Sequence, residues 1–185
     1  CEGVPGPTSY RITGKKKWIK FGGVADLMAL MLVEPGLPPK ARHTRFIVER
    51  SETPWIAREI PSVGIRNVSF AEIEFKGVDV PVENRISKPG EALQAFARGI
   101  EASRPFIGLT AVGIANHALD LATTYTKQRV AFGRPIAKFQ AVQVALADAA
   151  MEVAAARLLC LQALWMMDNE MHAAREASMS KVLAT

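Results

Sequence analysis

Residues 126–140, "TKQRVAFGRPIAKFQ", carry two guanidinium groups, Arg129 and Arg134, with Phe132 between them and Gln140 close behind. Arginine grips phosphate oxygens through a rigid fork of N–H donors, and a phenyl ring packs on a flat partner. The set can therefore hold a pyrophosphate joined to a planar heterocycle. A plainer reading covers part of it: Lys127 and Arg129 suit the negative end of a helix dipole, Gly133 permits a turn, and Pro135 can precede a new helix. That reading leaves Phe132 and the second arginine without a task, so a nucleotide-like partner is the sharper expectation.

Two other places carry chemistry. In "GKKKWIKFGG", residues 14–23, Trp18 lies among lysines on a strand that runs into paired glycines. It is either a core residue or a flat wall against an aromatic cofactor. Arg104 falls on the apolar stripe of a helical pattern and is followed by Pro105, which removes a helical hydrogen bond and predicts a kink. Arg104 either pairs with Glu101 at i, i+3 and reaches out to water, or is a charge held on the buried face for a ligand. Residue chemistry alone leaves that choice open.

Several classes of site are absent. There is no G-x-G-x-x-G, no G-x-x-x-x-G-K-[ST] and no G-x-S-x-G. His43, His117 and His172 lie far apart, so no metal site is expected. Cys1 and Cys160, the latter inside an apolar helical pattern, offer no disulfide framework and suit a reducing compartment. The net charge of +5 is scattered, and no nucleic-acid partner is expected. Nearly half of the 185 residues, 49%, are apolar, enough for a buried core. With no uncharged run of about 18 apolar residues and no signal-peptide pattern at the start, the expectation is a soluble protein with no membrane partner.

The elements that must position these residues change character midway. From Tyr10 to about Val82 the runs are short, rich in β-branched and aromatic residues and broken by Gly and Pro, which predicts strands. "VSFAEIEF" alternates through Val68, Phe70, Ile73 and Phe75 with a phase slip near Ala71, where a bulge or twist is expected. "PGLPPKAR", residues 35–42, reads as a loop. Beyond "NRISKPGEA" the period becomes helical. One apolar stripe passes through 93, 97, 100, 107, 111, 114, 118, 121 and 125, and a second through Phe139, Val142, Leu146, Ala149, Val153, Ala156, Cys160, Ala163 and Met167. The second helix has another apolar row, Ala147, Met151, Ala154, Leu158, Leu161 and Trp165, so it must be covered on two sides. A third pattern begins near His172. The boundary is expected near Pro89, giving a β domain over 1–87 and a partial helical domain over 88–185. The chain begins without methionine and stops inside a helical pattern, as part of a larger protein would.

In this order the segments resemble the acyl-CoA dehydrogenase family of flavoproteins. The matching residues are "YRITGKKKWIKFGGVAD" for its G-x-K-x-W-I-[TS] strand, "VGIR", and "EIEFKGVDVPVEN" for its F-x-x-V-x-V-P segment. "EASRPFIGLTAVGIANHALDLATTY" and, for its R-x-x-F-G-x-x-[IL]-x-x-x-Q run, "QRVAFGRPIAKFQAVQVALADAAMEVAAARLL" complete the set. The resemblance implies an α+β fold, an antiparallel barrel- or sandwich-like β domain followed by an antiparallel helical bundle, incomplete in this chain. It implies an FAD-dependent oxidoreductase that desaturates an acyl thioester between its α and β carbons by hydride transfer to flavin N5. Electrons would pass to an electron-transfer flavoprotein or another acceptor. A homotetramer is implied, in the cytoplasm or the mitochondrial matrix. Trp18 would lie beside the flavin ring and Lys20 near N5, where the family usually has Thr or Ser. Arg129, Phe132 and Gln140 would contact FAD, with Arg129 and Phe132 reaching from a neighbouring subunit. Glu101 and Arg104 would lie near the acyl-CoA. The family's base, a glutamate in a Y-E-G-T-like segment or immediately before the arginine, has no counterpart here: the latter position is Ser103, and the catalytic residue is unknown. A catalytically silent subunit, or an oxidase or monooxygenase of the same fold, is the alternative.

Overall fold

Short alternating runs closed by Gly and Pro build the first of two units, Cys1–Phe96, and helical repeats build the second, Ala97–Thr185. The computed structural model describes residues 1–88 and 90–185. The boundary expected near Pro89 falls on the residue outside that set. The first residues of the long helix, 92–96, group with the β unit.

The β unit is one six-stranded sheet of β1 (Glu2–Pro5), β2 (Ser9–Lys20), β3 (Leu27–Val33), β4 (His43–Glu49), β5 (Ile56–Glu59) and β6 (Phe70–Pro81). Its order is β4-β3-β1-β2-β6-β5, antiparallel except where β1 meets β3. Strand β1, whose Gly and Pro conceal it in the sequence, joins the two halves. Inward residues of β2, β3, β4 and β6, among them Ile12, Leu32, Phe46 and Phe75, fill a single core with Trp55. Burial of such side chains stabilises each by about 1.5–3 kcal/mol. Residues 35–42 form the expected loop.

The irregularity expected near Ala71 is present, on the facing strand: the register slips between Lys16↔Ile73 and Ile19↔Ala71. Ala71, Ile73 and Phe75 all point inward, so Phe70 belongs to the outer face by strand alternation. The register breaks at two places on the β2–β6 pair. Gly77 is passed over between Val78↔Ile12 and Lys76↔Thr13, and on β2 two residues, Lys17 and Trp18, oppose the single Glu72.

The helical unit comprises α1 (Ala92–Gln128), a two-strand turn of β7 (Val130–Ala131) and β8 (Arg134–Pro135), α2 (Gln140–Asp168) and α3 (Ala174–Ala184). In α2 the row Val142, Leu146, Val153, Ala156, Cys160 and Ala163 turns inward as its spacing predicts, while Met151, Leu158 and Trp165 stay exposed. In α1 the expected stripe is not the covered face. Ile107, Ile114, Leu121 and Tyr125 are exposed, whereas Pro105, Gly108 and Val112 are buried, with Glu101, Ala115 and Leu119 half-buried along the same row. Close approach explains the choice: a Cβ on Gly108 would meet Cys160 Sγ at 2.6 Å and Ala184 Cβ at 3.4 Å, so the small-residue side admits α2 and α3. Gly108 beside Cys160 and Glu101 beside Ala173 make α1 and α2 antiparallel. The helix runs through Pro105 without interruption. By length and composition α1 alone, among the described residues, is apolar enough to cross a membrane. Its apolar rows on more than one side equally suit a helix covered by protein all round.

Candidate functional site

On the β unit, the register shift on β2 decides where Trp18 points. Lys16 pairs with inward Ile73 and Ile19 with inward Ala71, so strict alternation would have driven Trp18 into the core. The extra residue instead turns it outward, the usual effect of a bulge. Trp18 adopts φ +62 and is 63% exposed. A bulky residue in the left-handed region costs about 1–3 kcal/mol, and a solvated indole gains little burial in return. The core reading of Trp18 is thus overturned, and the flat-wall reading fits. Its ring lies 6.1 Å from that of Phe70, at 44°.

Phe70 is the cross-strand partner of Lys20, so the three side chains share one face. Beside them a cavity of about 310 Å³ is lined by Lys20, Ser62, Gly64, Ile65, Val68 and Phe70. The lysines of β2 differ in their partners. Lys15 faces Glu74 at 3.7 Å and Lys17 faces Glu72 at 3.1 Å. The Lys17 hydrogen bond holds the Glu72 carboxyl below the usual carboxylate range. Inward Lys16 is pushed down by burial. Lys20, exposed, has its ammonium 5.3 Å from the Phe21 ring centre and, among the described residues, no carboxylate within ion-pair distance. The strand end is anchored beyond it: Phe21 N–H donates to Ser69 O at 2.8 Å, Trp55 Nε1–H to Gly22 O at 2.9 Å, and Arg50 to Gly23 O at 2.8 Å.

The helical unit carries the arginine–phenylalanine turn. Ala131 pairs with Arg134, leaving Phe132 and Gly133 as a two-residue hairpin loop, both at positive φ, +52 and +78. This is the backbone of a type I′ turn, which favours Asn-Gly or Gly-Gly. Phenylalanine at its first position is strained and leaves the ring 95% exposed. It touches Phe139 edge-on at 6.2 Å, while Arg134 stacks over Phe139 at 4.3 Å. Arg129 is tied through its main chain, its N–H donating to Tyr125 O and its carbonyl accepting from Ile136. Neither arginine has an ion-pair partner among the described residues. Exposed Gln140 opens α2 directly after Phe139. Two free guanidiniums beside an outward ring fit a pyrophosphate-bearing dinucleotide, and the exposed indole of the β unit fits a flat ring.

Glu101 and Arg104 do not pair with each other. Glu101 Oε1 accepts the Ala173 N–H at 3.2 Å, and Arg104 donates to Ser178 Oγ at 2.9 Å, which in turn donates to Ala174 O at 2.7 Å. Ala173 stands at the N-terminus of α3 and has no side chain to cap it, so Glu101 supplies the missing acceptor and a favourable negative charge. A wide cleft of about 720 Å³ borders this contact, lined by Arg98, Glu101, Ala102, Met167, Glu170 and His172 among others. Arg104 spends one of five N–H donors on Ser178, leaving the rest for a ligand.

Phe70 and Ser178 complete these arrangements without sequence spacing that links them to Trp18 or Arg104. Cross-strand register was the missing signal for Phe70. Among the described residues no cluster of His, Cys, Asp and Glu could hold a metal.

The family model for the acyl-CoA dehydrogenase C-terminal domain matches residues 93–185. A probable acyl-CoA dehydrogenase of Bacillus subtilis, YngJ, is 33% identical over 95% of this chain and 47% of its own length. Benzylmalonyl-CoA dehydrogenase of Aromatoleum aromaticum is 36% identical over 95% of this chain and 46% of its own. The chain thus spans about half the length of the curated relatives it matches. The structure of butyryl-CoA dehydrogenase from Megasphaera elsdenii superposes with a TM-score of 0.91 at 29% identity, covering 98% of this chain and 48% of that one. With a strand-built unit that turns a tryptophan outward, a helical unit that turns out an arginine-flanked phenylalanine, and a family match over the whole of the latter, the chain belongs to the acyl-CoA dehydrogenase family.

Proposed function

We propose that the protein carrying this chain is an FAD-dependent acyl-CoA dehydrogenase that desaturates an acyl thioester between its α and β carbons. The observation that carries this reading is the pair of large aromatics, Trp18 and Phe132, held in solvent at strained backbone angles within a chain of this family. Strain and exposure are both unfavourable in isolation, and a bound flat cofactor offsets both. When bound, FAD supplies the hydride acceptor. The residues supply position and charge: Trp18 walls the ring, and Arg129 and Arg134 neutralise phosphate oxygens. Phe132 and Gln140 pack and hydrogen-bond alongside. Glu101 lines the cleft in which the acyl-CoA would lie, and Arg104 follows it by three residues along α1. Ser103 does not supply the base for the α proton: it is exposed and its hydroxyl donates to Ile100 O at 2.9 Å. Electron-transfer flavoprotein as acceptor, a homotetramer and a cytoplasmic setting complete the reading.

Ser103 also keeps a second reading in play, a catalytically silent homologue that serves as a subunit. Purification of the intact protein decides between them. An enzyme copurifies with FAD whose colour bleaches on addition of saturated acyl-CoA thioesters. A colourless protein, or one bleached by no thioester, supports the silent subunit. In the coloured enzyme Arg104→Ala should lower acyl-CoA turnover while FAD stays bound, at a stability cost of about 0.5–1.5 kcal/mol for the lost bond to Ser178. Unchanged kinetics in the folded variant would confine Arg104 to holding α3.

A further inference from the structure

We propose that Lys20 sets the electron affinity of the cofactor, its ammonium group accepting the charge that develops on a flavin ring laid against the β unit. The proposal rests on the FAD reading above. Four lysines lie on β2, and three have their charge accounted for: Lys15 and Lys17 by facing glutamates, Lys16 by an inward, partly desolvated position. Among the described residues Lys20 has no carboxylate within ion-pair distance, and the Phe21 ring lies beside its ammonium group. The bulge at Lys17 and Trp18 brings Lys20 out on the face of Trp18 and opposite Phe70. A strictly paired strand would place Lys20 inward and Trp18 with it.

The surroundings make a charge there consequential. Ile65, Val68 and Phe70 line the cavity with Lys20, so a ring covering it shares an apolar, water-poor space with the ammonium group, where charge–charge attraction is strong. The site is also pre-organised. Three hydrogen bonds, to Ser69 O, Gly22 O and Gly23 O, fix the turn that follows Lys20, so little need reorganise as charge develops. Addition of a hydride to N5 of neutral oxidised flavin transfers two electrons and leaves one negative charge on the ring system. A nearby cation favours that product, and a neutral side chain of equal length does not.

Sulfite reports the same property without turnover. Its sulfur lone pair forms a bond to flavin N5, no group leaves, and the ring gains the electron pair and the negative charge. The experiment titrates sulfite into the FAD-loaded intact protein and follows loss of the flavin absorbance in wild type, Lys20→Met and Lys20→Arg. Lys20→Met should weaken sulfite affinity by about tenfold or more, equivalent to a fall of about 30 mV in the two-electron potential, and equilibration with a reference dye should show that fall. Lys20→Arg keeps the charge and should stay close to wild type. Equal sulfite affinity in wild type and Lys20→Met, both FAD-loaded, overturns the proposal. Equal loss in both variants overturns it too, by assigning the effect to side-chain shape instead of charge. A wild-type protein that binds no FAD fails the flavin reading itself, and the proposal falls with it.

Discussion

Trp18 and Phe132 are held out by the same backbone anomaly imposed in two different ways. At Trp18 the positive φ comes from long-range pairing: two long strands are locked in register on either side, and the extra residue has nowhere else to go. At Phe132 it comes from a loop of two residues between two two-residue strands, with Gly133 taking the second left-handed position without a Cβ penalty. One strain is enforced by the sheet, the other only by its neighbours. The sheet-borne feature should therefore tolerate local change, whereas the hairpin should answer to each residue in it.

The largest expected effect lies in the hairpin. If Arg129 makes a charge-assisted hydrogen bond to pyrophosphate, Arg129→Ala should cost roughly 1.5–3 kcal/mol, about tenfold to over a hundredfold in FAD affinity. FAD titration with light scattering to follow assembly measures this. A folded variant with wild-type affinity would reduce the turn to a helix connection.

Next come the strained aromatics themselves. Phe132→Gly should raise thermal stability by up to about 1 kcal/mol, because an exposed ring at positive φ loses little when removed, while FAD binds more weakly, though by less than in Arg129→Ala. Trp18→Gly should gain nothing comparable, since it also loses the Phe70 contact and frees a chain that the bulge must still confine. Paired melting curves test the contrast, and equal gains at both positions would show that sheet and hairpin store strain alike.

The smallest effect concerns the residue opposite the bulge. Glu72 is held below its ordinary range chiefly by the Lys17 hydrogen bond. A depressed folded value means the contribution is present above the unfolded value of about 4.3 and is lost as pH falls through the folded value. Lys17→Met should remove this portion of the acid dependence, read as a flatter stability–pH profile below about pH 4.3 with little change at neutral pH. An unaltered acid limb would mean that the pair does not help to hold the bulge.

How much of this was legible in the sequence differs by element. The inward row of α2 was readable because its residues are apolar at regular spacing and that same row meets α3 and α1. In α1 the apolar residues were equally regular, yet the covered side is the one with Pro105, Gly108 and Val112. Hydropathy marks which residues avoid water, whereas Gly108 shows that close packing selects the side that is small. The site residues Trp18, Lys20, Arg129 and Phe132 stood out by type. Their presentation did not: the Phe-Gly loop lacks the usual turn residues, and the two-against-one pairing at Glu72 exists only once two strands have met. An irregularity near Ala71 was legible, but not that the extra residue would lie in the facing strand.

The bond between Glu101 and the start of α3 also bears on the order in which the molecule assembles. Ala173 gives α3 no side-chain cap of its own. The acceptor arrives from a carboxylate 72 positions earlier, and Arg104 fastens Ser178 from 74 positions earlier. A nascent chain emerging from a ribosome thus has α1, the turn and α2 behind it before the start of α3 meets the side chains that fasten it. Release of the start of α3 therefore frees Glu101 and Arg104 together, in one local opening.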